Sequence, residues 1–142
     1  MKAADELANK FGLKAKRLHI AVMREPFLTY IFEGQKTIES RFSLHKIAPY
    51  QRVEVGDAVL LKAGPVVGHF IVAWVKYFDL NEYPIEEIRQ QYGAGICGDI
   101  EFWKTKRFKR YVTLIGISDV HRVNPYAIEK HDRRAWVTLQ TS

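Results

Sequence analysis

Residues 25–41 read EPFLTYIFEGQKTIESR, and the spacing of apolar residues changes partway along. Phe27, Tyr30 and Ile31 recur at helical spacing, and Pro26 suits a first turn because its missing N–H would have no intrahelical partner there. Gly34 supplies the left-handed residue that ends such a helix. From Thr37 to Phe42 the chain alternates as a strand does, with Ile38, Ser40 and Phe42 on one face and Thr37, Glu39 and Arg41 on the other. Lys36 stands at the strand entrance, from which a flexible ammonium reaches toward the Glu39 and Arg41 side. The expectation is a short buried helix, a glycine stop, and a strand that presents three charged groups together.

Upstream, Leu18 to Met23 is apolar enough for a central strand, and 1–17 reads as a short helix with Leu7 and Phe11 four apart, closed by Lys14, Lys16 and Arg17. That segment is expected as a loosely docked helical and basic extension, with the domain proper over 18–142. Downstream, Ser43 to Val55 has no period and contains Pro49, so it reads as a loop with Lys46, Tyr50 and Arg52 at the surface. Ala58–Ala63 and Val66–Tyr77 are strand candidates around Gly64-Pro65, and Gly68 marks a bulge or a close backbone approach. Asn81–Tyr92 reads as a helix opened by Tyr83-Pro84. The following YGAGICGD lacks the G-K-[ST] ending of a phosphate loop and is expected to be a flexible turn. Asp99 should cap a helix over Ile100–Arg107. Arg110–Ser118 is the next strand, continued along Asp119–His121 and broken at Asn124-Pro125; Arg133–Leu139 is the last. Five or six strands with two to four short helices and no β-α-β alternation define an α+β class, a small mixed β-barrel.

At 142 residues and 47% hydrophobic, the chain can bury the core of one domain. Its 22 Lys and Arg against 16 Asp and Glu favour polyanionic partners. The single Cys97 can form no internal disulfide and points to a reducing compartment. His19, His45, His69, His121 and His131 show no ligand spacing, so no metal site and no cofactor are expected. Without an apolar run of about twenty residues, the chain reads as soluble and cytoplasmic, with no membrane partner. The run WKTKRFKRY carries Lys104, Lys106, Lys109, Arg107 and Arg110; these read either as a track for phosphates or as a solvated helix end. Trp103, crowded by those cations, is either a partly exposed base-stacking platform or core. Lys62, beside small Ala63 and Gly64, points either toward the same cleft as Lys36 or into solvent.

Gly34, Lys36, Thr37, Ile38, Glu39 and Arg41, preceded by Pro26-Phe27, match the pattern G-x-K-T-[IV]-E-x-R. With weaker echoes at Gly56-Asp57, Val67-Gly68, Phe102-Trp103 and Arg134-Ala135-Trp136-Val137, the stretch Ile20–Leu139 resembles the ASCH (activating signal cointegrator homology) domain of the PUA-like superfamily. The resemblance implies a PUA-like barrel with helices closing its ends and a cleft lined by Lys36, Thr37, Glu39 and Arg41. It implies RNA or a modified nucleoside as partner, with DNA as a further possibility. Some bacterial relatives are amidohydrolases acting on N4-acetylcytidine through a lysine and a threonine of this strand, and ribonuclease activity has been associated with others. Lys36 matches the lysine. The threonine position is Glu39, and a carboxylate cannot replace an amine-activated hydroxyl nucleophile. The readings left open are a binding pocket and hydrolysis by Lys36 and Glu39, with Glu39 as general base.

Overall fold

The computed structural model describes residues 3–128 and 133–142. In chain order the elements are α1 (Ala3–Phe11), β1 (Arg17–Val22), α2 (Phe27–Glu33), β2 (Ile38–Ser43), β3 (Ala58–Lys62), β4 (Val66–Asp79), α3 (Ile85–Ile96), α4 (Ile100–Lys106), β5 (Tyr111–Tyr126) and β6 (Trp136–Gln140). The six strands form one sheet in the order β2-β5-β4-β3-β1-β6, with β1 and β3 parallel and the other pairs antiparallel. The sheet curls into a half-barrel of α+β class. Its edge strands β2 and β6 do not pair, yet the Arg41 guanidinium carbon lies 5.2 Å from the Trp136 ring centroid. Among the described residues, the Arg41 side chain reaches across the open seam between the sheet edges.

Strand alternation sorts the apolar residues. Ala21, Val59, Leu61, Phe70 and Ile115 pack with Leu28 and Ile31 of α2, while Leu18, Ile20, Ala58 and Leu60 turn to the other face and meet Leu7 of α1. A third cluster joins Ile38, Val112 and Leu114 to Ile88, Ile96 and Trp103 of α3 and α4. Each fully buried Leu, Ile or Phe in these clusters stabilises the fold by about 1.5–3 kcal/mol.

Several elements differ from the sequence expectation for identifiable reasons. α1 is not loosely docked: Ala4, Leu7 and Ala8 are buried, and Asp5 accepts the backbone N–H of Ser142 at 2.8 Å. α3 runs through Gly93 and Gly95 to Ile96, where a turn was expected. A Cβ at Gly95 would lie 2.7 Å from Thr37 Oγ1 and 2.8 Å from the Ile38 side chain, so glycine lets the last helical turn lie against the entrance of β2. β5 continues through Pro125 because β2 pairs with it only as far as Gly116; beyond, β5 is an edge, where a missing N–H is tolerated. Tyr50 is buried against Tyr77 and Tyr111 instead of standing at the surface. No helix among the described residues is long and apolar enough to cross a membrane.

Candidate functional site

The turn after α2 decides where Lys36 goes. Gly34 takes the left-handed conformation (φ 84°), and the backbone N–H groups of Lys36 and Thr37 donate to Tyr30 O and Gly95 O, both at 3.0 Å. Docked on both helices, the chain sends the Lys36 side chain inward. Its ammonium donates to Ile96 O at 2.7 Å, lies 3.4 Å from Glu39 Oε1, and sits 5.2 Å from the Phe27 ring centroid. The carbonyl end of α3 favours a cation there.

Glu39 faces two cations. Its Oε2 accepts from Arg41 Nε at 2.9 Å and lies 2.7 Å from Nη2, while Oε1 faces Lys36. Arg41 Nη2 also donates to Val22 O at 3.0 Å, tying β2 to β1 across the seam. Lys36 and Glu39 are 3% and 5% exposed, so the trio is a buried network and not a solvated surface pair. Burial pushes Lys36 below the ordinary lysine range, against the pull of Glu39. Burial pushes Glu39 the other way, but Arg41 and Lys36 together outweigh it and hold the carboxyl below the usual range. Glu39 is therefore ionised at neutral pH.

This trio floors a cleft of about 460 Å³ walled by Phe27, Phe42 and Phe102, with Arg24 and Lys106 also lining it. Beyond Arg41, Phe42 and Ala135, which line both, a second depression of about 390 Å³ continues past Lys46, Arg52 and Arg134. The two make one groove along the seam.

Of the residues expected here, Lys36, Glu39, Arg41 and Lys106 line the cleft. Thr37 does not: it precedes β2, is exposed, and stands beside Gly95. Lys62 does not line it either; alternation along β3 turns it to the face of Leu60, away from Leu61 and the cluster that includes Met23. Trp103 is core, 5% exposed, with its indole N–H donating to Gly98 O at 3.2 Å. The basic run does not form one track. Lys104 and Arg107 border a separate hollow with Ile85 and Arg89, Arg110 pairs with Asp79 at 3.1 Å, and Lys109, half-buried, borders neither hollow. Sequence reading missed Arg24, and it assigned Phe27, Phe42 and Phe102 no part in the cleft. The Pro26-Phe27 pair beside the motif was the one available signal. Lys130 and His131 lie outside the described residues. No cluster of three or more potential metal ligands occurs among those described.

The fold of this half-barrel and its helices is similar to that of solved ASCH domain structures. A serine-to-alanine variant of the ASCH protein from Zymomonas mobilis superposes with a TM-score of 0.69 at 14% identity, over 90% of this chain and 92% of that one. The unsubstituted Zymomonas mobilis ASCH structure gives 0.60 at 16% identity, over 78% and 73%. The likeness is one of fold. No family model and no curated protein sequence matches the chain.

Proposed function

We propose that the seam groove binds a single-stranded RNA segment, or a nucleotide carrying a modified base, and that it recognises the base without hydrolysing it. The observation that carries this reading is the ionised Glu39, clamped between Lys36 and Arg41 at the floor of a cleft walled by three phenylalanines. A carboxylate accepts from an exocyclic amine, a guanidinium edge donates to a carbonyl or phosphate, and aromatic walls stack a base. Arg41 Nη1 makes no hydrogen bond among the described residues and is the donor turned to the ligand. Lys46, Arg52 and Arg134 would take the phosphates that follow. RNA is preferred to DNA in this reading, and a cytoplasmic setting fits it.

The same clamp argues against a hydrolytic role for Glu39. Its carboxyl is held below the usual range by two cations, and a general base works best with a pKa near the working pH. One observation favours the rival hydrolase reading: burial lowers the Lys36 pKa, which makes its amine more available as a neutral proton acceptor. Two assays on the wild type beside Arg41→Gln and Lys36→Ala decide between them. Binding of a labelled RNA oligonucleotide should weaken steeply with salt and be lost in Arg41→Gln, and N4-acetylcytidine and RNA should remain intact. Turnover abolished by Lys36→Ala would establish catalysis, and the absence of salt-dependent binding would remove the RNA reading.

A further inference from the structure

His19 of β1 is fully buried on the same strand face as Ala21, and both of its ring nitrogens are engaged. Nδ1 lies 3.0 Å from the Trp136 indole nitrogen and 2.9 Å from Thr138 Oγ1, and Nε2 lies 2.8 Å from Asp57 Oδ2. An indole N–H can only donate, so Nδ1 accepts from it, and the proton of the neutral ring sits on Nε2, where Asp57 receives it. Asp57 is itself held in place, its Oδ2 also accepting the Glu54 N–H at 2.9 Å. These contacts fix one tautomer and one ring orientation.

This line of contacts ends in the seam groove. Trp136 lines the second depression, and the Arg41 guanidinium lies over its ring at 5.2 Å, a cation–π contact between two largely buried groups. Arg41 in turn donates to Glu39. Asp57, His19, Trp136 and Arg41 therefore connect the turn before β3 to the floor of the groove through β1, β6 and β2. The ring nitrogen that accepts from Trp136 has a second neighbour ready. A proton added to the ring goes to Nδ1, which then donates to Thr138 Oγ1, with Asp57 as counter-ion on the other side. The Trp136 N–H loses its acceptor and faces an N–H instead, and a buried donor left unpaired is destabilising, so the indole has reason to turn.

We infer that His19 is a positioning residue for the seam groove: the neutral ring fixes the indole on which Arg41 rests, and a second proton on it frees that indole and weakens binding in the groove. The effect on a ligand rests on the RNA reading above; the coupling of His19 to Trp136 and Arg41 does not. Burial holds His19 below the ordinary histidine range against the pull of Asp57, so the neutral ring is the resting form at neutral pH. The groups around it are Asp57 before β3, which favours a proton, and Arg17 of β1, which opposes it. Tyr77 of β4 stands near Asp57 with its hydroxyl taken up by Val53, and β6 presents the uncharged Thr138 and Trp136.

The test is proton–nitrogen correlation spectroscopy of the full chain over the acid range in which it stays folded, following the His19 ring, the Trp136 indole N–H and the Arg41 Nε–H. At neutral pH His19 should carry its proton on Nε2, and on acidification all three signals should move with one midpoint, below the ordinary histidine value. Trp136→Phe keeps an aromatic ring and removes the donor, so the Arg41 signal should stop following His19; this separates the effect from protonation of Glu39, which Arg41 also contacts. The affinity of wild type for a labelled RNA oligonucleotide should fall by about tenfold as His19 is protonated, the opposite sign to the other histidines, whose added positive charge strengthens RNA binding. His19→Leu should weaken binding already at neutral pH, and His19→Asn, whose amide oxygen stands close to where Nδ1 stood, should rescue it and remove the acid loss. A proton on Nδ1 at neutral pH, an Arg41 signal that ignores His19, or RNA binding that does not fall as His19 is protonated overturns the inference. Absence of RNA binding at every pH would instead remove the RNA reading, and the three signals would still decide whether His19 positions Arg41.

Discussion

Two groups of charges in this chain are equally compact in sequence and end up differently in space. Lys36, Glu39 and Arg41 converge on one floor, whereas the five cations between 104 and 110 scatter to several places. The backbone explains it. Residues two apart on a strand share a face, so β2 delivers Glu39 and Arg41 together. Residues two apart on a helix lie about 200° apart around its axis, so α4 sends Lys106 to the cleft and Lys104 to the hollow beside Trp103. Arg107, three residues after Lys104, lines that same hollow. Charge density along a sequence therefore makes a patch only where the local period agrees.

The strongest way to break this contrast is to remove one charge from the convergent group. Glu39→Gln leaves Lys36 buried without its counter-ion, and the expected loss is about 3–5 kcal/mol in denaturant unfolding. Lys36→Met should be milder, because Glu39 keeps Arg41 and the desolvation that depresses Lys36 disappears with it. If the two substitutions proved equally damaging, the trio would not be centred on Glu39. The acid limb of the stability curve reads the same point. Glu39 has a depressed folded-state pKa, so its contribution is complete above the ordinary carboxylate range and is lost as pH falls through the folded value. Glu39→Gln should flatten that part of the acid slope.

Much of the cleft was legible because its elements are local: a proline, a helical spacing, a glycine stop and a period-two strand within 25–41. Gly34 does end α2 in the left-handed conformation, and Asp99 does cap α4, accepting from Phe102 N at 2.7 Å. What was not legible depends on contacts between distant residues. Gly95 read as a turn because only its packing against Thr37 and Ile38 reveals why a helix needs a glycine there. The sequence left Trp103 between a stacking platform and core; it is core, because one helical residue can face the core while its neighbours face water. The walls Phe42 and Phe102 belong to different elements that meet only in the fold, their ring centroids 6.0 Å apart.

Effects of intermediate size sharpen the link between α3 and the trio. Gly95→Ala places a Cβ against Thr37 and the Ile38 side chain, and overpacking of this kind costs about 1–3 kcal/mol. Because Ile96 O holds the Lys36 ammonium, the same substitution should also weaken ligand binding, measurable as a reduced RNA affinity in the folded variant. Asp99→Ala removes the α4 cap and should cost about 1 kcal/mol in thermal or denaturant unfolding. It weakens the start of the helix that carries Phe102 and Lys106.

The smallest stability effects fall within the dispersed run, where the contrast becomes a matter of binding. Lys104 is exposed and meets Glu101 at 3.5 Å one turn away, a pair worth about 0.2–0.5 kcal/mol, so Lys104→Ala should barely move the unfolding midpoint. Lys106, half-buried, lies 4.9 Å from the Phe102 ring centroid and 5.8 Å from that of Phe42. Burial, then Lys109 and Arg41, lower its pKa, so an incoming phosphate relieves repulsion there as well as forming an ion pair. Lys106→Ala should therefore weaken RNA binding and reduce the slope of log affinity against log salt by about one, while Lys104→Ala leaves that slope unchanged. Equal salt slopes for the two variants would mean that the run acts as one undivided track, and that the helical period does not separate its charges in function.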